Sequence, residues 1–149
     1  MTREELYALR QRTGMTTMLH GCMLADRPMR VRMEYVPGRL AVSSRPPLPY
    51  QASLGTDAPG LAILAYLPTA FANSPELRSV RERGYARKSA GDENLDVLSV
   101  PLLRHSTPVG SVSVTGRHQT LERHLDEFVD AITGAAENLS SRFGRRLPD

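Results

Sequence analysis

Residues 95–116, LDVLSVPLLRHSTPVGSVSVTG, constrain the fold more than any other stretch. Over 95–103 both alternating sets are apolar, Leu95, Val97 and Leu103 on one and Leu98, Val100 and Leu102 on the other. Such a strand must be covered on both faces, which puts it in the interior of a sheet. Residues 109–116 alternate strictly instead, with Val112 and Val114 against Ser111, Ser113 and Thr115. That gives a second strand with one core face and one face of hydroxyls. The polar connector 104–108, closed by Pro108, has the length of a hairpin loop.

A row of small hydroxyls beside apolar neighbours suits a pocket for a small polar ligand, because each hydroxyl donates and accepts without bringing a charge. The same alternation describes the solvent face of an ordinary antiparallel strand, and periodicity by itself favours that second reading.

The rest of the chain supplies layers for this sheet. Thr2 and Glu5 have capping-box spacing, Leu6 and Leu9 follow at helical spacing, and Gly14 stops the helix. Two strands follow over 15–24 and 29–36, the second alternating Val31, Met33 and Tyr35 with Arg30, Arg32 and Glu34. A short strand is expected over 39–43, before the prolines of 45–49. Asp57 with Pro59, and Ser74 with Pro75, each read as a helix cap followed by first-turn proline, and Gly84 closes the second of these helices. Leu121, Leu125, Phe128, Val129, Ile132, Ala136 and Leu139 form the apolar stripe of a long final helix. The order predicts one α+β domain, an antiparallel sheet with helices packed on it.

With 149 residues, 40% of them hydrophobic, the chain is long enough for one real core. Its net charge of +3 is spread out, and Lys88 is the only lysine, so no basic stripe points to nucleic acid. One cysteine, Cys22, excludes an internal disulfide and fits a cytoplasmic setting. No apolar run approaches the length of a membrane span. Enzyme chemistry is also poorly supplied, and no catalytic residue, cofactor or metal site is expected. The 110–114 segment lacks the second glycine of a nucleophile elbow, and no phosphate-binding glycine loop is present. His20, His105, His118 and His124 read as surface histidines rather than metal ligands, and Cys22 as a structural thiol. Asp92 and Glu93 read as a solvated turn that gains interest only beside the hydroxyl strand.

Taken in order, several segments resemble the effector-binding domain of the IclR family of bacterial transcriptional regulators. They are LYALRQRTGMT at 6–16, LPYQAS at 48–53, GLAILA at 60–65, RERGY at 81–85, and the strand-turn-strand 98–116. The resemblance spans almost the whole chain and implies a GAF-like or profilin-like fold, with the domain at 1–144 and a tail at 145–149. It implies a small organic effector, an acid or an aromatic metabolite, held by Ala52, Ser53, Gly60, Leu61, Pro101, Ser113 and Thr115, with Asp92 added by a shift in alignment. It also implies assembly as a homodimer or tetramer. The departures are Gln51 where the family usually has His, Leu61 where it usually has Lys, and extra residues at 56–59 that leave Gly55 and Gly60 as alternative matches. The winged helix-turn-helix that precedes this domain in the family is not in the sequence, so no direct DNA contact is expected of this chain. Two functions follow as expectations: a ligand sensor that signals through conformation or oligomeric state, or an interaction module that pairs with full-length regulators without a ligand of its own.

Overall fold

The computed structural model describes residues 2–24, 26–39, 46–68, 73–91 and 94–146. Helix α1 (Thr2–Thr13) ends at Gly14, whose φ of 73° lets its N–H reach back to the Arg10 carbonyl at 2.7 Å. Strands β1 (Thr16–Leu24) and β2 (Pro28–Val36) form a hairpin, and β3 (Gln51–Ser53) adds a three-residue edge. Helices α2 (Ala58–Leu64) and α3 (Pro75–Arg83) follow, then β4 (Ala86–Ser89), β5 (Leu95–Arg104), β6 (Thr107–Arg117), α4 (His118–Arg123) and α5 (Leu125–Arg146). All pairings are antiparallel, in the order β3-β2-β1-β6-β5-β4.

Strand β5 lies between β6 and β4, the interior place that its doubly apolar sequence requires. Its hairpin with β6 is tighter than the five-residue connector expected. His105 and Ser106, at φ 50° and 68°, make a two-residue turn whose backbone twist matches the strands it joins. Pro108 therefore sits inside β6 opposite Leu103, where the register shifts and its missing N–H disturbs the ladder least.

Helices cover both faces. On one, α1, α4 and α5 bring Leu6, Leu9, Leu121, Phe128, Ile132 and Leu139 onto Leu19, Leu98, Val100, Val112 and Val114. On the other, α2 and α3 bring Ala58, Leu61, Ala62, Leu77 and Val80 onto Met18 and Val97. The final apolar stripe is carried by two helices rather than one, because the backbone leaves helical geometry at His124 (φ −119°, ψ 26°). The cap and first-turn proline expected for α2 and α3 are both present, with Asp57 accepting from the Gly60 N–H and Ser74 from the Leu77 N–H. Edge strands β3 and β4 go beyond the sequence expectation, and the strand expected at 39–43 lies almost entirely outside the described residues.

Candidate functional site

The hydroxyls of β6 face α2, not water. Ser111, Ser113 and Thr115 are all buried, which rules out the solvent-face reading of the alternation. Their cross-strand neighbours on this face are His20, Met18 and Thr16 of β1 and Pro101, Ser99 and Val97 of β5. A polar row thus crosses the centre of the sheet beneath a helix. Small residues Ala58 and Ala62 pack toward Met18 and Val97 of the sheet, while Gly60 lets the helix close on the turn that precedes it, where a Cβ would lie inside the Leu54 carbonyl.

Only part of this row is paired. Ser99 and Ser113 share a hydrogen bond of 2.6 Å between their hydroxyls. Among the described residues Ser111 Oγ, Thr115 Oγ1 and both ring nitrogens of His20 are buried without a protein partner, as is Arg104 Nε toward the end of β5. Buried polar atoms are nearly always hydrogen-bonded, so the orphans on β6 and beside it on β1 call for partners that the described residues do not supply. Burial, reinforced by the nearby Arg30 guanidinium, pushes His20 down to about 3, so its imidazole is neutral and offers one donor and one acceptor.

Arg30 is the most unexpected residue here. The alternation of β2 suggests an apolar set of Val31, Met33 and Tyr35 and a polar set of Arg30, Arg32 and Glu34. The structure instead buries Arg30 completely and leaves Met33 63% exposed. A register shift between Leu19 and His20 moves Tyr35 to the α2 side beside Met18, where it joins the same apolar cluster. Arg30 Nη2 donates to Asp57 Oδ2 at 2.6 Å, its Nε lies 3.2 Å from the same oxygen, and Nη1 donates to the Pro49 carbonyl at 2.7 Å. Asp57 thus caps α2 and neutralises a buried guanidinium at once.

The residues expected to bind an effector divide into groups. Ser113, Thr115 and Pro101 share the α2-facing side of β6 and β5, and Gly60 and Leu61 are buried in α2 above the sheet. Ala52 is the register partner of Arg30, whereas Ser53, the next residue of β3, is exposed and its hydroxyl contacts Met29 Sδ at 3.9 Å. Asp92 lies outside the described residues. Sequence reasoning placed Ser111 in the hydroxyl row without counting it among the effector-binding residues, read His20 as a surface histidine, and missed Arg30 and the second role of Asp57. The usable signal was an arginine and a histidine on neighbouring strands near a helix cap, visible only once β1 and β2 are paired.

Two further features border the site. An open groove of ≈ 680 Å³ runs along β5 beyond the end of β4, lined by Tyr66, Gly84, Pro101, Val129 and Ala136 among others. Pro101 belongs to this groove and is also the cross-strand partner of Ser111. At the other end of β5, Asp96 accepts from Arg87 Nε at 2.9 Å and lies 2.8 Å from His118 Nδ1, tying β4, β5 and α4 together. Among the described residues no group of three or more His, Cys, Asp or Glu is placed to hold a metal ion, and no helix is long and apolar enough to cross a membrane.

No protein-family model matches the chain, and no curated protein matches it. Solved structures do. The Thermotoga maritima IclR superposes with a TM-score of 0.81 at 24% identity, over 96% of this chain and 67% of that one. The C-terminal domain of the E. coli transcriptional regulator KdgR gives 0.74 at 20% identity, over 96% of both chains. The transcriptional regulator YaiJ gives 0.82 at 16% identity, over 96% of this chain and 93% of that one. KdgR and YaiJ are both transcriptional regulators. The chain carries the fold of the C-terminal domain of IclR-type transcriptional regulators.

Proposed function

We propose that this chain is the effector-binding domain of an IclR-type regulator, taking a small organic molecule on the polar row beneath α2 and signalling by a ligand-linked change in conformation or subunit arrangement. One observation carries the reading: His20, Ser111 and Thr115 present buried, unpartnered hydrogen-bonding atoms along one line of the sheet. Their desolvation is a standing cost that a ligand's hydroxyl, carbonyl or amide would offset. Ser113, Thr115, Gly60, Leu61, Pro101 and Ala52 surround or support that line, and the chain works in the cytoplasm with a second copy of itself as partner.

The test is thermal stability of the purified chain against a panel of small organic molecules, with Ser111→Val beside it. Ser111 is the informative position because its hydroxyl has no partner, whereas removing the Ser113 hydroxyl would orphan Ser99 and mix stability with binding. A bound ligand at about 100 times its dissociation constant adds about 2.7 kcal/mol to stability. The wild type should show that rise for one chemical class, and Ser111→Val should lose it while melting near the unliganded wild type. A flat panel on a folded chain rejects the reading and leaves a ligand-free interaction module.

A further inference from the structure

Resting on that effector-site reading, we propose that the ligand is electrically neutral, a small alcohol, phenol or amide, and that the Arg30–Asp57 pair is what excludes acids. Charge accounting under α2 carries the proposal. One orphan, Arg104 Nε, falls in the alternating set of Leu98, Val100 and Leu102 on the opposite face of β5. Beneath α2 the atoms left without partners belong to two hydroxyls and one imidazole, and none of them needs an opposite charge. Between them they supply both donors and acceptors, the set that matches a hydroxyl or a primary amide.

The cation that an acid would need is already committed. Arg30 has no exposed surface, its Nε and Nη2 sit on the Asp57 carboxylate, and its Nη1 is on the Pro49 carbonyl. An incoming carboxylate would have to displace Asp57 from Arg30, leaving a buried aspartate without its guanidinium partner. Arg32, the other arginine on this face, lies over the Tyr35 and Tyr50 rings at 5.8 and 5.4 Å, with its Nη1 directed at the Leu48 carbonyl. A carboxylate set on the row would therefore be a buried ion without a free counterion, whereas an amide of the same shape would leave no group unpaired.

Matched pairs test this directly. Lactamide with lactate, and benzamide with benzoate, are titrated calorimetrically and by melting temperature at pH 7.5 against wild type and Asp57→Asn. Asparagine is as good a helix cap as aspartate, so the substitution removes the charge opposite Arg30 while keeping the cap acceptor. In the wild type an amide binds at least about tenfold more tightly than its acid, a gap of about 1.4 kcal/mol. In Asp57→Asn the gap closes or reverses, because Arg30 is now free to take the acid. Tighter binding of the acid by the wild type overturns the neutral-ligand proposal alone and leaves the effector site standing. Binding of neither member of any pair overturns both. Should Asp57→Asn fail to fold, the ranking within each wild-type pair decides by itself.

Discussion

His20 carries its burial as a pH dependence. In the folded chain its imidazole is held neutral down to about pH 3, by desolvation first and by Arg30 second, while in the unfolded chain it titrates near the ordinary value for histidine. Because the folded pKa is the lower one, the unfolded state binds more protons below about pH 6.5 and stability falls as the pH drops. From pH 7 to pH 5 this one residue should cost the fold about 2 kcal/mol. Urea denaturation at the two pH values, in wild type and in His20→Gln, isolates the effect, since His105, His118 and His124 are present in both. The variant should lose about 2 kcal/mol less over that interval. Equal losses would mean that His20 is hydrated or charged in the folded state, and the orphaned row would lose its central member. Nothing about residue 20 in the sequence announces this. It stands next to Gly21 in an ordinary strand, and its isolation arises only when Ser111 and Arg32 flank it across the sheet.

At the scale of elements α2 covers the row, and Gly60 fixes that helix against the turn that leads into it. A methyl group on Gly60 would overlap the Leu54 carbonyl, and backbone cannot move aside as the end of a flexible side chain can. Gly60→Ala should therefore cost about 1–3 kcal/mol in chemical denaturation and weaken ligand binding along with it. A variant as stable as wild type would show that α2 has room to lift. The elements legible in the sequence were those whose patterns run long enough to be read. Strands β5 and β6, the Gly14 stop, and the caps and first-turn prolines of α2 and α3 all follow from local chemistry. The three and four residues of β3 and β4 are too short for a period of two to stand out, and their pairing depends on partners far along the chain. Strand β2 was legible as a strand but not in its facing, because the register shift beside His20 reassigns its sides and a buried arginine looks like a surface one until Asp57 is set against it. The hydroxyl row was visible in β6, whereas the helix that turns it from a wet face into a site is supplied by a separate segment.

For the whole molecule the same strand joins two surfaces. Arg30 points under α2, while Met33 lies over Gly21 on the opposite face, where no helix among the described residues covers it. Met33, Met23 and Leu24 are 63%, 51% and 64% exposed, an apolar end to a sheet that is otherwise sandwiched between helices. Exposed apolar clusters of this kind mark contact surfaces, and a second copy of the chain is the partner in keeping with the proposed function. Sedimentation should show a wild-type oligomer, and Met33→Asp should shift it toward monomer with the melting temperature of the monomeric fold little changed, since the side chain is mostly in water already. Identical sedimentation of the two would place the subunit contact elsewhere. The link to ligand is thermodynamic: a molecule bound beside His20 alters association only to the degree that it binds the associated and free forms differently, and association must then alter its affinity by the same factor. Under that proposal strand β2 is the physical route for the difference, with Arg30 buried on the α2 side and Met33 exposed on the other side of one backbone. Ligand should therefore change the dissociation constant of the wild-type oligomer, and Met33→Asp should bind ligand with the affinity of the free subunit at every protein concentration. If the ligand affinity of the wild type stays constant across the dilution that separates its subunits, the site and the contact are uncoupled.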